Sequence, residues 1–215
     1  MLVVVVGGAV ALVRSSALDV DAVEVTGVTT ERAEAARAAS GLAVGDPILT
    51  FWPGRVRTRV RALPWVADAT VVRRLPGTVR IEVTPRTPVG WVRAGARVLL
   101  VDGEARVIER VDAAPPGVPE LVGLEARAPV GGEVAPRSLA AAAAGLGLAL
   151  RQRVGTVTLE DGVVSAQVLG GPQLRFGPPE RMGAKARVAS AVLATPGTTG
   201  ATYVDVSVPA APVSG

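Results

Sequence analysis

Two pairs of carboxylates lie close together in this chain, Asp102 with Glu104 and Glu160 with Asp161. Paired carboxylates can divide acid and base work, as in cleavage of a glycosidic bond. Both pairs sit at Asp-Gly dipeptides, however, where a short acidic side chain usually serves the backbone of its own turn. The 215 residues include no cysteine and no histidine. A Ser-His-Asp triad, thiol catalysis, disulfides and Cys/His zinc sites are thereby excluded. An acid–base enzyme would have to use Asp, Glu, Tyr203 or the single lysine, Lys185, and no spacing groups them. There is no Gly-Lys-Ser/Thr loop to cradle phosphate. The "GLGLAL" of residues 145–150 lacks the third glycine and the preceding strand of a dinucleotide site. The residues read as a non-enzyme with no cofactor and no metal.

The formal net charge is +4, and nearly all the positive charge is arginine. With abundant Ala, Gly, Val and Pro, this pattern points to a GC-rich coding bias more than to a phosphate-binding surface, so no nucleic-acid partner is expected. Arg55, Arg57, Arg59 and Arg61 cluster in one segment. They suit either a surface for an acidic partner or the solvated outside of an amphipathic helix.

The elements that would position these groups fall into two blocks. "LVVVVGGAVALV", residues 2–13, is uncharged and ends at Arg14. Twelve helical residues span about 18 Å against about 30 Å of bilayer hydrocarbon. Residues 1–14 are therefore expected to be the end of a longer membrane helix; a signal sequence or a buried strand are the other readings. Val20–Gly27 alternates as a strand and Thr30–Ser40 reads as a helix stopped by Gly41. A second helix from Pro53 to Ala62 carries Val56, Val60 and Leu63 on one stripe. Strands Val66–Arg73 and Val79–Val83 follow, joined by a type II turn at Pro76-Gly77. The order strand, helix, helix, strand, strand makes a small α+β domain over residues 19–88.

Residues 89–208 read as a second, mostly antiparallel β-domain with helices. Runs around Asp102-Gly103 and Asp161-Gly162 look like hairpins. Ser138–Arg153 and Glu180–Ala194 look helical, with a short strand at Gln173–Phe176 between them. "ATYVDVSVP" alternates as a closing strand. Residues 209–215 are expected to be a disordered tail.

In this order, "VDAVEVTGV", "GDPILT", "RALPWVADATVVRRLPGTVRIEV" and "RTPVGWV" resemble the POTRA domain of the FtsQ/DivIB cell-division family. "LRFGPPERMGAKARVASAVL" and "TYVDVSVP" resemble the strand, helix and closing strand of that family's β-domain. Pro85 stands where Glu often precedes the arginine that is Arg86 here, and Ser207 stands where a basic residue is common. The resemblance implies a single-pass protein of the cell membrane, with its folded domains outside the cytoplasm and concentrated at the division septum. It implies FtsB-like and FtsL-like coiled-coil partners, and through them the septal peptidoglycan synthases. The expected site is the last strand, Tyr203, Val204, Asp205, Val206, Ser207 and Val208, with Tyr203 as anchor, offering a free sheet edge to a partner strand. The alternative is a POTRA-bearing transport or chaperone protein guiding polypeptides to an outer-membrane barrel, which would want several such repeats or a strand array.

Overall fold

A computed structural model describes residues 18–124, 127–195 and 200–215. The membrane-helix expectation for residues 1–14 lies outside them. Among the described residues no helix is long and apolar enough to cross a membrane. The chain is α+β and separates into two units, residues 1–86 and 87–215.

In the first unit, β1 (Ala22–Thr26) is followed by α1 (Thr30–Ser40), α2 (Pro53–Arg61), β2 (Val66–Arg74) and β3 (Thr78–Pro85). The sheet order is β1-β3-β2. β1 runs parallel to β3 with Val25 opposite Ile81, and β2 runs antiparallel with Val71 opposite Ile81. The helical period of α2 sends Val56 and Val60 inward, where they meet Ile48, Val66, Val79, Ile81 and Val83. Fully burying each such side chain stabilises by about 1.5–3 kcal/mol. Arg86 closes the unit: its N–H donates to Trp65 O at 2.8 Å and its Nε to Val66 O at 3.2 Å.

One turn differs from expectation. Gly77 does not take the positive φ that a type II turn requires. It is glycine because Asp21 packs against it. A Cβ there would collide with the Asp21 carboxylate, and the Asp21 N–H donates to Gly77 O at 2.6 Å.

The second unit holds β4 (Gly90–Ala94), β5 (Arg97–Val101), β6 (Val107–Val111), β7 (Glu120–Val122), α3 (Arg137–Gly145), α4 (Leu148–Arg151), β8 (Val154–Glu160), β9 (Val163–Val168), β10 (Gln173–Gly177), α5 (Met182–Val192), β11 (Tyr203–Asp205) and β12 (Val213–Ser214). One sheet carries all nine strands, in the order β12-β11-β10-β9-β8-β7-β4-β5-β6. Leu139, Ala143, Met182, Ala186 and Ala189 from the helices cover Leu99, Val157, Val164, Leu174 and Phe176.

The helix expected over Ser138–Arg153 is two pieces. Gly147, at φ 72° and ψ 161°, takes an extended positive-φ conformation, open essentially to glycine alone, that interrupts the helical ladder. The Asp102-Gly103 connection is likewise longer than a two-residue hairpin. Asp102 Oδ1 accepts the N–H groups of Glu104 and Arg106, at 3.0 and 2.8 Å, and Ala105 supplies the positive φ. The Asp161-Gly162 turn does have positive φ at both residues, as a tight hairpin needs. The tail expected to be disordered instead contains β12, antiparallel to β11.

Candidate partner-binding margin

The C-terminal margin of the large sheet is assembled from β10, α5 and β11. Strands β10 and β11 are parallel, so a crossover must link them, and α5 supplies it. The register pairs Gln173 with Tyr203, Leu174 with Val204 and Arg175 with Asp205. Val206 N–H extends the pairing by donating to Arg175 O at 2.9 Å.

Alternation along this strand places the six expected residues on two faces. Val204 and Val206 are fully buried in the core. Tyr203, Asp205 and Ser207 are half-buried on the opposite face. Val208 ends the pattern with 59% of its surface exposed. The Arg175 guanidinium lies over the Tyr203 ring, 4.3 Å from its centroid, so the tyrosine is already engaged on one side. Asp205 Oδ1 accepts both the Ser207 N–H, at 2.9 Å, and the Ser207 hydroxyl, at 2.6 Å. Ser207 stands where the resemblance suggested a basic residue, and its contacts here are local ones that fix the turn ending β11.

The Ser207 hydroxyl, then the Ser207 N–H and the nearby charge of Arg175, hold the Asp205 carboxyl below its ordinary 3.8, against the opposing effect of burial. A carboxyl lowered in the folded state stabilises above the ordinary value and loses that contribution as pH falls through the lowered one. Ser207→Ala should therefore move the Asp205 titration upward, read by carboxyl NMR, and should shift the acid-side loss of stability to higher pH. A titration unchanged in the variant would refute this assignment.

The expectation that β11 offers a free edge is corrected by the structure. β11 lies between β10 and β12, with Val204 opposite Ser214 and Asp205 opposite Val213. Tyr203 N–H donates to Gly215 O at 3.0 Å, and Gly215 N–H returns a bond to Tyr203 O at 3.2 Å. Thr202 adds two donors to the same Gly215 oxygen, its N–H at 2.6 Å and its hydroxyl at 2.9 Å. Backbone pairing alone explains why this covering strand was missed. Pro209 and Pro212 argue against a strand, residues 211–215 bury no side chain, and Val213 is 56% exposed. The available signal was Val213 itself, the one β-branched residue of the tail, since proline is tolerated on edge strands.

The other chemical candidates are engaged in holding the fold or lie open in turns. Lys185 is buried, and its Nζ donates to Pro178 O at 2.6 Å. Arg57 and Arg61 both meet Asp68, at 2.9 and 3.4 Å. Glu160 and Asp161 are exposed in their turn.

Comparison with known proteins bears on both units. Residues 18–86 match the POTRA domain, FtsQ-type. Along its whole length the chain is 32% identical over 221 residues to the cell division protein FtsQ of Streptomyces venezuelae, covering 80% of that protein. It is 31% identical over 227 residues to the cell division protein FtsQ of Streptomyces collinus, again along its whole length and over 84% of that protein. The cell division protein FtsQ of Caulobacter vibrioides is 41% identical over 86 residues, 40% of this chain and 28% of that one. With a POTRA unit followed by a nine-stranded sheet that carries the Tyr-Val-Asp strand next to its margin, and with similarity running through both, the chain belongs to the FtsQ family of cell division proteins.

Proposed function

We propose that this FtsQ-family chain is a non-enzymatic division scaffold, held in the cell membrane through residues 1–14 with both units outside the cytoplasm at the septum. It binds FtsB-like and FtsL-like coiled-coil proteins, and through them gathers the septal peptidoglycan synthases. The contact is a strand added at Tyr203–Val208, where the partner takes the place of β12. The observation that carries this reading is that, among the described residues, the nine-stranded sheet ends beyond β11 on a two-residue strand whose side chains are exposed. A strand held almost entirely through its main chain can be exchanged for another, because every extended segment offers the same donors and acceptors. Val204 and Val206 anchor the receiving strand in the core, and Tyr203 and Asp205 give its outer face a local identity.

The reading is tested by capture of an FtsB-like segment on the immobilised full chain in detergent. Capture should survive about 0.5 M salt, which screens charge contacts between exposed groups but leaves backbone pairing and apolar contacts. Loss of capture at that salt, or none at any salt, would contradict strand addition as the basis of function.

A further inference from the structure

The segment between α1 and α2 presents more apolar surface than its position requires. It is tied by its backbone to the first described residues: Val20 N–H donates to Asp46 O at 2.7 Å, Gly45 N–H to Val20 O at 2.9 Å, and Ile48 N–H to Leu18 O at 3.0 Å. Asp19 and Pro47 form a bridge in the same place. Ile48 points into the core and is fully buried. Around it, three large apolar side chains face solvent: Val44 is 75%, Leu49 42% and Trp52 71% exposed. Trp52 borders two shallow depressions. One is lined by Leu42, Pro47, Phe51 and Val56, the other by Gly54 and Thr58, and Arg55 and Arg59 border both.

The charges here are distributed unevenly. Arg57 and Arg61 are paired with Asp68, on the side of α2 that faces β2. Arg59 Nη1 donates to Ser40 O at 3.2 Å, a neutral carbonyl, and the guanidinium meets no carboxylate among the described residues. The Arg55 guanidinium has no hydrogen-bond or ion-pair partner among the described residues, and the backbone N–H of Arg55 donates to Trp52 O at 3.0 Å. The carboxylate of Asp46, which lines the first depression, is turned back on its own loop, where Oδ2 accepts the Ala43 N–H at 2.8 Å. An exposed tryptophan beside uncompensated arginines has the composition of a surface that meets a lipid headgroup layer, apolar body inward and charge at phosphate level.

Chain length brings that layer within reach. Only residues 14–17 separate the end of the apolar run at Val13 from Leu18. Fully extended, that connection spans about 18 Å. If Val13 lies in the bilayer, Leu18 is held in or just above the headgroups, and the 44–52 turn bonded to Leu18 and Val20 is held there with it.

We infer that the surface running from Val44 to Arg59 rests on the membrane, with Trp52 in the interfacial layer and Arg55 and Arg59 on anionic lipid phosphates. This rests on the membrane-anchored reading of residues 1–14 and adds a second contact to it. The anchor then becomes a two-point attachment that limits how the POTRA unit can swing.

The test uses the full chain reconstituted into vesicles whose acyl chains carry bromine, which quenches tryptophan at the depth of the interface. Vesicles of phosphatidylglycerol mixed with phosphatidylcholine are compared with phosphatidylcholine alone, and both with Trp52→Phe and Arg55→Glu chains. Trp52 is mostly exposed, so its replacement leaves the core of the unit intact. The expected result is quenching in the mixed vesicles that falls by more than about half in Trp52→Phe, and falls similarly in Arg55→Glu and without the anionic lipid. An alkaline carbonate wash reports the anchor separately. A chain that stays bound after the wash, yet shows equal quenching with and without Trp52, overturns the surface contact while the anchor stands. A chain that is washed off, yet showed Trp52-dependent quenching beforehand, upholds the surface contact and rejects the anchor.

Discussion

Asp205→Pro is expected to weaken binding of an FtsB-like strand by about tenfold or more, with the POTRA unit unaffected. The reasoning lies in which way each N–H points. Val206 N–H donates across to Arg175 in β10, and Tyr203 N–H donates away from β10, to Gly215. Backbone groups alternate along a strand, so Asp205 N–H points with that of Tyr203, toward the side a partner would use. Proline at 205 removes that donor and puts a ring in its place, while the bonds between β10 and β11 remain. Losing one bond costs about 0.5–1.5 kcal/mol, and the steric misfit of the ring adds to it. Asp205→Ala keeps the N–H and loses the carboxylate; its affinity should stay within about threefold of the parent. Calorimetric titration of both variants, with thermal melts as a check on folding, separates backbone from side-chain contributions. Equal binding by the parent and a folded Asp205→Pro chain would refute strand addition at this margin. Val206→Pro is the poorer test, because it breaks the bond to Arg175 and disturbs a fully buried side chain.

Removing residues 210–215 should have the opposite effect and tighten partner binding by about tenfold. The tail holds the margin through Gly215, Ser214 and Val213, by main-chain pairing, with the hydroxyl of Thr202 as the one side-chain donor to Gly215 among the described residues. Each bond contributes about 0.5–1.5 kcal/mol net, and ordering each tail residue costs about 1–2 kcal/mol. No buried side chain adds to the favourable side. The covered state is therefore shallow, and a partner that must first displace the tail binds with an affinity reduced by the open fraction. Truncation removes that competition. The sign of the effect is decisive: if the partner instead paired with the outer side of β12, truncation would weaken binding.

The parts of this fold that were legible in the sequence are those with a strong period. The 3.6-residue spacing of Val56 and Val60 located α2, and the alternation of Val79, Ile81 and Val83 located β3. Those patterns encode burial, which dominates the energetics of both elements. Features set by a single close approach were not legible. Asp21 against Gly77 joins residues far apart in sequence, and no local pattern announces it. Gly147 stands in an Ala/Leu-rich run whose helix propensity is high on both sides, so no local pattern announces the positive φ at which the helix breaks. At the candidate margin, the alternation of Tyr203 to Val208 showed which side chains are buried. It could not reveal the neighbour beyond Tyr203, because that neighbour is recruited through backbone groups, which every residue possesses. The same lack of side-chain information is what makes the tail exchangeable in the proposed function.

Amide hydrogen exchange on the full chain, with and without an FtsB-like segment, tests strand exchange most directly. If the partner strand replaces β12, Tyr203 and Asp205 become more protected in the complex while Val213 to Gly215 lose the protection they have in the free chain. Protection gained at another edge, such as β2 or β6, with residues 203–215 unchanged, would contradict it.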